Sequence, residues 1–534
     1  MKRVKRVLAL LAAFALVLAM AVPAFAVSAK DAAHTFDAYQ IFSGTMSEEK
    51  GKENALGDVE WGTGIANPVQ FLAALKADAT IGSHFTSATT AKDVANAMVA
   101  FGNKSAEANA FARIAYANKS DTNKITGCES VSISNAGYYL FVDTTSFGVN
   151  DTDTVFGLAL LNVAKGGTTV KPEVKAVTPT VTKEVYDNDD GSHAGEGNNN
   201  GFNQTADHAI NESFQFKLKA TLPANTNFGA YKSYKVVFHD TMSKGITFES
   251  LASVKIGGTD VKSYATVSDI TAGADGSQVW TVTIADIKTA APSVDLTKGT
   301  EIEVIYNAHL NENAEVTTAS GTTSNKNTTT ASGTTSNKNT VYLEYSNNPN
   351  ADGSGSTGKT PDETVYVFTY QITNTKYKDG VKDENVLKGA EFKLYKNKEC
   401  TDEVKLVLKN GTYYPASASE NGVTMVSGDD GKFNIKGLDA GTYYLKETKA
   451  PDGYNTCDTI VININASHKE DAAKVGQVDL TGSQNMGNAI VDKSGTTLPS
   501  TGGMGTTVFY VVGGGLMAVA VVLLVTKKRM ENKR

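Results

Sequence analysis

The 534-residue chain has few of the residues that build disulfide scaffolds or metal sites, with only 3 cysteines and 7 histidines. A small disulfide-stapled domain would use far more cysteine, and neither CxxC nor HExxH spacing occurs, so we expect no metal site and no cofactor. The chain also lacks an excess of positive charge, because its formal net charge is -7. A nucleic-acid-binding protein needs the opposite sign, so nucleic acid is excluded as a partner.

The basic residues that are present gather at the two ends. The N-terminus opens MKRVKR and continues into the apolar run Val7–Val22 and the triplet Ala24-Phe25-Ala26, which is typical of a secretory signal cut after Ala26. Near the C-terminus, LPSTG is followed by the uncharged stretch Thr507–Thr526 and a basic tail. As a helix, that stretch would span about 30 Å, enough to cross a membrane.

Hydrophobic periodicity predicts a mainly β protein with three domains between these ends. Short alternating strands at near-regular spacing favour three tandem immunoglobulin-like β-sandwich domains, the first with added helices over Pro68–Lys76 and Ala91–Tyr116. The predicted division is 1–26 signal peptide, 30–170 N-terminal domain, 176–350 middle domain, 362–494 C-terminal domain and 498–534 sorting signal. Cys400 and Cys457 fall in the same domain and could form a disulfide or stay free.

Two polar segments are interpreted as surface. Thr317–Thr328 (TTASGTTSNKNT) recurs without change at Thr329–Thr340, and such a Ser/Thr/Gly/Asn duplication indicates a lengthened loop. The acidic stretch Asp187–Gly191 lacks the full calcium-loop spacing and is interpreted as a solvated turn.

One strand carries a candidate chemical group. In YYLKETKAPDGY, alternation places Tyr443, Leu445 and Glu447 on the same face. A carboxyl group that shares a face with Leu and Tyr is expected to be buried, and burial without a countercharge raises its pKa, so Glu447 could act as a proton shuttle. The alternative is an exposed Glu in an ordinary ion pair.

The pattern Y-x-L-x-E-T-x-A-P-x-G-Y, from Tyr443 to Tyr454, resembles the E-box of sortase-assembled pilins. The segment Leu387–Leu394 (LKGAEFKL) is similar to a strand of their Cna type B domains, and the segments His34–Gly64 and His239–Phe248 resemble the first and middle domains of backbone subunits. The LPSTG motif, apolar span and basic tail resemble the sortase cell-wall sorting signal. The chain therefore resembles a Gram-positive major (backbone) pilin subunit.

For the C-terminal domain, the resemblance implies an intramolecular isopeptide bond promoted by an acid. Lys376 would supply the amine, Asp492 the carboxyl group and Glu447 the acid. The family usually has Asn at the position of Asp492, so Asn488 is the alternative acceptor. A buried lysine is driven neutral and becomes a nucleophile, which makes the reaction physically reasonable.

For the middle domain, the resemblance implies a second bond, between Lys183 and Asn347, with Asp240 as the acid. The first domain has Val142 at the position that aligns with the E-box Glu, so we predict no E-box-type bond there. Asp143 is expected on the opposite strand face.

The resemblance also implies polymerisation and wall anchoring. Sortase would recognise Leu498, Pro499, Ser500, Thr501 and Gly502, cleave after Thr501, and join its carbonyl to a lysine of the next subunit. Lys175 is the first choice for that lysine and Lys171 the second.

The implied partners are a class C pilus sortase, a housekeeping sortase, identical pilin subunits, ancillary pilins and peptidoglycan; the sequence names no host ligand. The expected product is secreted, passes through a transient membrane insertion and stays on the wall as an adhesive pilus shaft. It is not expected to be an enzyme, because no nucleophile–base motif occurs. The alternative function is a monomeric wall-anchored adhesin or a basal or ancillary pilin.

Overall fold

The structure is a computed structural model, and it describes most of the chain. The described residues are 33–46, 56–102, 105–145, 158–172, 178–188, 201–224, 228, 231, 233–317, 328–329, 337–348, 357–468, 478–480, 483–495 and 505–531. The predicted signal segment, the LPSTG motif and Lys175 lie outside these ranges.

The first domain combines a sheet with helices. Its strands are β1 (Thr35–Met46), β2 (Leu56–Trp61), β3 (Ile125–Cys128), β4 (Val131–Ile133), β5 (Gly137–Asp143), β6 (Ala159–Val163) and β7 (Thr168–Val170). The main sheet has the order β2-β1-β5-β6, with β3 paired to β1, and β4 pairs with β7. Buried Phe71, Phe85 and Phe111 from the helical segments pack in the core beside Phe42 of β1, so the helices cover this sheet.

The helical prediction is confirmed for the first segment and corrected for the second. Helices occupy Pro68–Ala77, Ala91–Met98 and Ala106–Ala117, with a 3₁₀ turn at Gly82–Phe85. The predicted helix over Ala91–Tyr116 is therefore two helices. Gly102 lies between them and weakens helix propagation, and Ser105 starts the next helix by accepting the Ala108 N–H at its Oγ, 3.1 Å away.

The middle domain is a sandwich of two sheets. Its strands are β8 (Thr180–Asp187), β9 (Gly201–Asn203), β10 (Thr205–Asp207), β11 (Ser213–Thr221), β12 (Val236–Met242), β13 (Ile246–Ile256), β14 (Thr259–Asp260), β15 (Ala265–Val267), β16 (Thr271–Ala272), β17 (Gln278–Ile284), β18 (Glu301–Leu310), β20 (Asn337–Ser346), β21 (Thr357–Lys359) and β22 (Glu363–Phe368). The two-residue strand β19 (Thr328–Thr329) instead pairs with a strand of the C-terminal domain. One sheet has the order β14-β13-β18-β11-β8-β9 and the other β10-β22-β20-β12-β17-β15. Short helical turns lie at Lys262–Tyr264 and Ile287–Ala290.

Alternation sets which side chains of the middle domain face its core. In β8, β11, β18 and β20, every second residue is buried, as expected for strands with one face on a sandwich core. The buried face of β8 carries Val181, Lys183 and Val185. A lysine thus occupies a position that the pattern reserves for an apolar side chain.

The C-terminal domain is a smaller sandwich. Its strands are β23 (Tyr370–Lys378), β24 (Glu391–Tyr395), β25 (Leu406–Lys409), β26 (Thr412–Pro415), β27 (Met425–Val426), β28 (Ile435–Leu438), β29 (Gly441–Lys449), β30 (Ile460–Ile464), β31 (Ser467–His468), β32 (Val478–Asp479) and β33 (Gly487–Asp492). The sheets have the orders β25-β26-β28-β23-β33 and β27-β24-β29-β30. The first and last strands, β23 and β33, pair in parallel, and this pairing brings the two ends of the domain together.

The middle and C-terminal domains meet at Thr369. Strand β22 ends at Phe368 in the middle sheet, paired with β20 and β10, and β23 begins at Tyr370 in the next sandwich. The change of domain therefore falls after the predicted start at residue 362. Backbone contacts cross the junction, including Ile210 N to Gly437 O at 2.9 Å.

A long apolar helix follows the last sandwich. It runs from Gly505 to Glu531, and its segment Tyr510–Met530 is long and apolar enough to cross a membrane. Lys528 and Arg529 lie in its last turn.

Candidate functional site: two buried lysine–acid clusters

The first cluster is built around Lys183 inside the middle sandwich. Its Nζ contacts Asp240 Oδ2 from the facing sheet and donates to Tyr306 OH at 3.3 Å. Tyr306 in turn donates to Asp240 Oδ2 at 3.1 Å. Lys183 and Asp240 are 3% and 1% exposed, so an ordinary solvated ion pair is excluded.

An amide completes this cluster, and it belongs to Asn339. Lys183 Nζ lies 2.7 Å from Asn339 Oδ1, and Asn339 Nδ2 donates to Tyr306 OH at 2.6 Å. The sequence pointed instead to Asn347, which is also buried. Asn347 follows Asn339 by eight residues, just past the end of β20. At 3.3 Å per residue, that places it about 26 Å further along the strand. The structure brings Lys183 and Asp240 together as predicted but pairs them with Asn339.

The electrostatics of the Lys183 cluster favour uncharged groups. Burial lowers the pKa of Lys183 to about 8, although Asp240 opposes the shift. Burial also raises the pKa of Asp240 above its usual range, against the opposing effect of Lys183. Moving one proton from the ammonium to the carboxylate would leave a neutral amine beside a neutral acid, which a low-dielectric core tolerates better.

The second cluster joins the first and last strands of the C-terminal domain. Lys376 Nζ contacts Asp492 Oδ1 and lies 3.2 Å from Glu447 Oε2. Register explains the contact, because Asp492 pairs with Lys378, two residues from Lys376 on the same face of β23. The structure thus brings together the lysine, the carboxyl group and the acid that the sequence singled out.

The alternative acceptor Asn488 lies elsewhere. It pairs in register with Asn374 and donates from Nδ2 to Asn374 Oδ1 at 2.9 Å. Four residues separate it from Asp492, or about 13 Å along the strand. Asp492 is therefore the acceptor that faces Lys376.

Glu447 is buried, as the strand pattern predicted, with 5% exposure. Its Oε2 accepts the Cys457 backbone N–H at 2.7 Å. Burial raises the pKa of Asp492 to about 6, with the Glu447 carboxyl group adding to the shift and Lys376 opposing it. Asp492 therefore holds a proton up to a higher pH than an ordinary aspartate does, beside the Lys376 amine.

The cysteines stay apart. Cys400 and Cys457 are both free thiols, so the structure does not form the disulfide that the sequence allowed. Burial raises the pKa of the Cys457 thiol to about 12, which leaves it protonated and unreactive at neutral pH.

The first domain places its acids differently. Val142, at the aligned E-box position, is buried in the core. The carboxylate oxygen Oδ2 of Asp143 lies 2.6 Å from His34 Nδ1. Asp37 contacts Lys124 Nζ at 2.6 Å, but the Lys124 side chain is 41% exposed, unlike the lysines of the two buried clusters.

Of the predicted polymerisation residues, the structure describes Lys171. It is exposed and directly follows β7. Lys175 and the motif Leu498–Gly502 lie outside the described residues.

Comparison with known proteins agrees with this architecture. Residues 371–478 match the SpaA family, described as a prealbumin-like fold domain, and residues 490–532 match the LPXTG cell wall anchor motif. The chain carries a SpaA domain and a cell-wall anchor. These matches confirm the predicted cell-wall anchor signal, and together with the fimbrial relative below they agree with the resemblance to sortase-assembled pilins.

Relatives of this chain include a curated fimbrial protein. Fimbrial subunit type 2 of Actinomyces naeslundii is 25% identical over 355 residues, which cover 61% of this chain and 59% of that protein. The match thus spans less than two thirds of the relative's length.

Similar solved structures are also pilins. The T6 backbone pilin of Streptococcus pyogenes serotype M6 is 16% identical, with 87% of this chain and 97% of that chain covered and a TM-score of 0.46. The full-length major pilin SpaD of Corynebacterium diphtheriae is 18% identical, with 87% and 93% covered and a TM-score of 0.40.

Proposed function

We propose that this wall-anchored protein is the shaft subunit of a covalent surface pilus that supports adhesion. In this role it is a structural protein and not an enzyme acting on other molecules. The observation that carries the proposal is the presence of two fully buried lysines, Lys183 and Lys376, each held against an acceptor and an acid. A stretched shaft needs such internal cross-links, because a cross-link limits how far an unfolded domain can extend.

In the middle domain, Lys183 attacks the side-chain amide of Asn339. Asp240 takes the proton of the Lys183 ammonium and leaves a neutral amine. The amine nitrogen then bonds to Asn339 Cγ, Asp240 gives its proton to the Asn339 nitrogen and takes one from the attacking nitrogen, and the Cγ–Nδ2 bond breaks to release ammonia. The core holds all three groups in contact, so the reaction needs no external enzyme.

In the C-terminal domain, Lys376 attacks the carboxyl group of Asp492. The Lys376 nitrogen bonds to Asp492 Cγ, one carboxyl oxygen departs as water, and Glu447 supplies and recovers the proton that makes that oxygen a leaving group. The raised pKa of Asp492 supports this role, since only the protonated acid loses water readily.

Polymerisation uses the two ends of the subunit. Sortase cleaves after Thr501 and joins its carbonyl to the amine of Lys175, with Lys171 as the second choice. The exposure of Lys171 supports access of an enzyme to this stretch of the chain. The proposed partners are a class C pilus sortase, a housekeeping sortase, ancillary pilins and peptidoglycan.

Intact mass of the processed chain, residues 27–501, tests the internal bonds. We expect a mass below the sequence value by one ammonia and one water. Asn339→Ala should abolish the ammonia loss, and Lys376→Ala the water loss. Asn347→Ala is the matched control and should keep both losses; an unshifted wild-type mass would exclude both bonds.

Immunoblotting of wall extracts tests polymerisation separately. A ladder of high-mass bands that disappears in Lys175→Ala, or only in the variant that also carries Lys171→Ala, supports a shaft subunit. A single band in the wild type would contradict the proposal and favour the alternative, a monomeric wall-anchored adhesin or a basal or ancillary pilin.

A further inference from the structure

A third group of polar side chains lies where the middle and C-terminal domains meet. His208 and Glu212 follow strand β10 of the middle domain, and Asp439 follows β28 of the C-terminal domain. One ligand atom from each of these three side chains lies within 4.8 Å of the other two. The isopeptide chemistry uses none of them.

His208 is fixed in one orientation with one nitrogen left available. Its Nε2 lies 2.8 Å from the Tyr186 carbonyl oxygen, so Nε2 must carry a hydrogen and donate it. Its ring stacks on Phe214 at a centroid distance of 4.2 Å. The residue is 1% exposed, yet Nδ1 has no hydrogen-bond partner among the described residues.

The free nitrogen faces carboxylates instead of donors. Glu212 Oε1 lies 3.6 Å from His208 Nδ1, and Asp439 completes the group. In the neutral ring, Nδ1 is a lone pair, and a lone pair beside carboxylate oxygens is repulsive unless a proton or a metal ion lies between them. A histidine whose other nitrogen donates to a backbone carbonyl is the usual arrangement of a metal ligand.

Neighbouring groups orient the carboxylate of Glu212. Its Oε1 accepts from Asn188 Nδ2 at 3.1 Å, and its Oε2 accepts the Ala209 N–H at 3.1 Å. A cleft of about 290 Å³, lined by His208 and Glu212 among others, borders the group. The cleft gives an ion and its remaining water ligands a path from solvent.

The potential at this junction is negative. Asp187 and Asp207 are buried there, so the predicted solvated turn is wrong for Asp187. Burial, with Asp207, Asp439 and Asp187, raises the pKa of Tyr370 well above its usual range. The exposed Lys396 weakens this negative potential near Glu212. The several acidic neighbours still attract a divalent cation electrostatically.

We propose that His208, Glu212 and Asp439 form a binding site for a divalent transition metal, best suited to Zn²⁺, that clamps the two domains. One imidazole with two carboxylates fits Zn²⁺ better than Ca²⁺ or Mg²⁺, which prefer oxygen ligands alone. Tetrahedral Zn²⁺ places its ligand atoms about 3.4 Å apart, close to the separation of His208 Nδ1 and Glu212 Oε1. Because Asp439 comes from the other domain, the ion would fix the angle between the domains.

Metal uptake by the tag-free processed chain, residues 27–501, tests the site. After removal of metal with a chelator, we expect titration calorimetry with Zn²⁺ to give one site per chain and a higher melting temperature. Asp439→Asn should weaken binding by roughly 100-fold; it keeps the Oδ1 acceptor that receives the Ala440 N–H, so the fold is preserved. The nitrogen NMR signal of His208 Nδ1 should move on Zn²⁺ addition.

The matched control is a second histidine–carboxylate pair on the middle domain. His309 Nδ1 lies 2.8 Å from Glu249 Oε1 on the surface, and His309→Gln should leave Zn²⁺ binding unchanged. Equal Zn²⁺ uptake by wild type and Asp439→Asn would mean an adventitious ion only and would overturn the proposal. So would binding of Ca²⁺ without Zn²⁺, or no uptake at all. The mass loss from isopeptide bonds should be the same in every variant, so the two proposals stand or fall separately.

Discussion

The Nζ of Lys183 lies 2.7 Å from the side-chain oxygen of Asn339, whereas Asn347, eight residues further on, lies outside that cluster. Both asparagines are fully buried, so burial does not distinguish them. Strand pairing does distinguish them. Asp240 of β12 pairs with Val341 of β20, and Asn339 pairs with Met242, only two residues from Asp240. The acceptor is therefore chosen by strand register.

Loss of the middle-domain bond should lower stability. A cross-link between Lys183 and Asn339 closes a loop of roughly 150 residues, which in the chain-entropy estimate contributes about 5 kcal/mol. Asn339→Ala should therefore reduce the free energy of unfolding by about that amount in denaturant titrations. Asn347→Ala removes a buried amide but no cross-link and should cost only about 1–3 kcal/mol; equal losses in the two variants would count against the bond.

The unbonded variant should also gain a pH dependence. In Asn339→Ala, Lys183 remains an amine whose folded pKa of about 8 is lower than its unfolded value of about 10.5. Between these values the unfolded chain binds more protons, so stability rises with pH, by about 3 kcal/mol in total. Thermal melts from pH 7 to pH 11 should show this rise in Asn339→Ala. The same rise in the wild type would show that its lysine is still free.

Changing the acceptor of the C-terminal bond should leave the product unaltered. Asp492→Asn replaces the departing water with ammonia, yet the amide formed with Lys376 is the same. The bonded variant should therefore have the same intact mass as the bonded wild type. Asp492→Ala is the control that cannot react, and a mass for Asp492→Asn equal to its own unreacted sequence would refute the assignment.

The duplicated segment makes a further prediction about register. The tail of the second copy, Asn337–Thr340, is part of β20, so the prediction of a loop throughout is wrong there. Deleting 12 residues, either copy, leaves the same sequence, still followed by the apolar strand Val341–Ser346. We expect the deletion variant to keep its ammonia loss by mass spectrometry. Loss of the bond would mean that both copies are needed.

The domain junction depends on a glycine. Gly437 has φ +83°, and an added Cβ would lie 2.4 Å from Ile210 Cδ1 and 2.9 Å from Ile210 Cβ. Gly437→Ala should therefore cost about 2 kcal/mol or more, from backbone strain and displaced packing. Gly453→Ala is a matched control, since its φ is +89° with nothing close to the new Cβ. Calorimetry should show the larger loss of stability for Gly437→Ala. Equal losses in the two variants would mean that backbone strain alone is responsible and that the contact with Ile210 contributes nothing.

The sequence predicted the fold class and much of each cluster. Alternation predicted that Glu447 is buried, because its strand has an unambiguous apolar face. The resemblance singled out Lys376 and Asp492, and the structure places both beside Glu447 or its partner lysine. The helix break near Gly102 was missed, because the apolar periodicity continues across it although Ser105 caps the start of a new helix.

By itself, the sequence determined the strand faces, the three-domain order and the apolar span near the C-terminus, because these follow from local periodicity and composition. The tertiary structure decided which side chains meet across sheets. Asn339 lay in a segment whose polar, repeated composition resembles a loop, and only pairing of β20 with β12 turns it toward Lys183. The same holds for His208 and Asp439, which are 231 residues apart in the chain and meet only because two separately folded domains pack at Thr369. Contacts of that range depend on register and domain packing, and no local pattern encodes either.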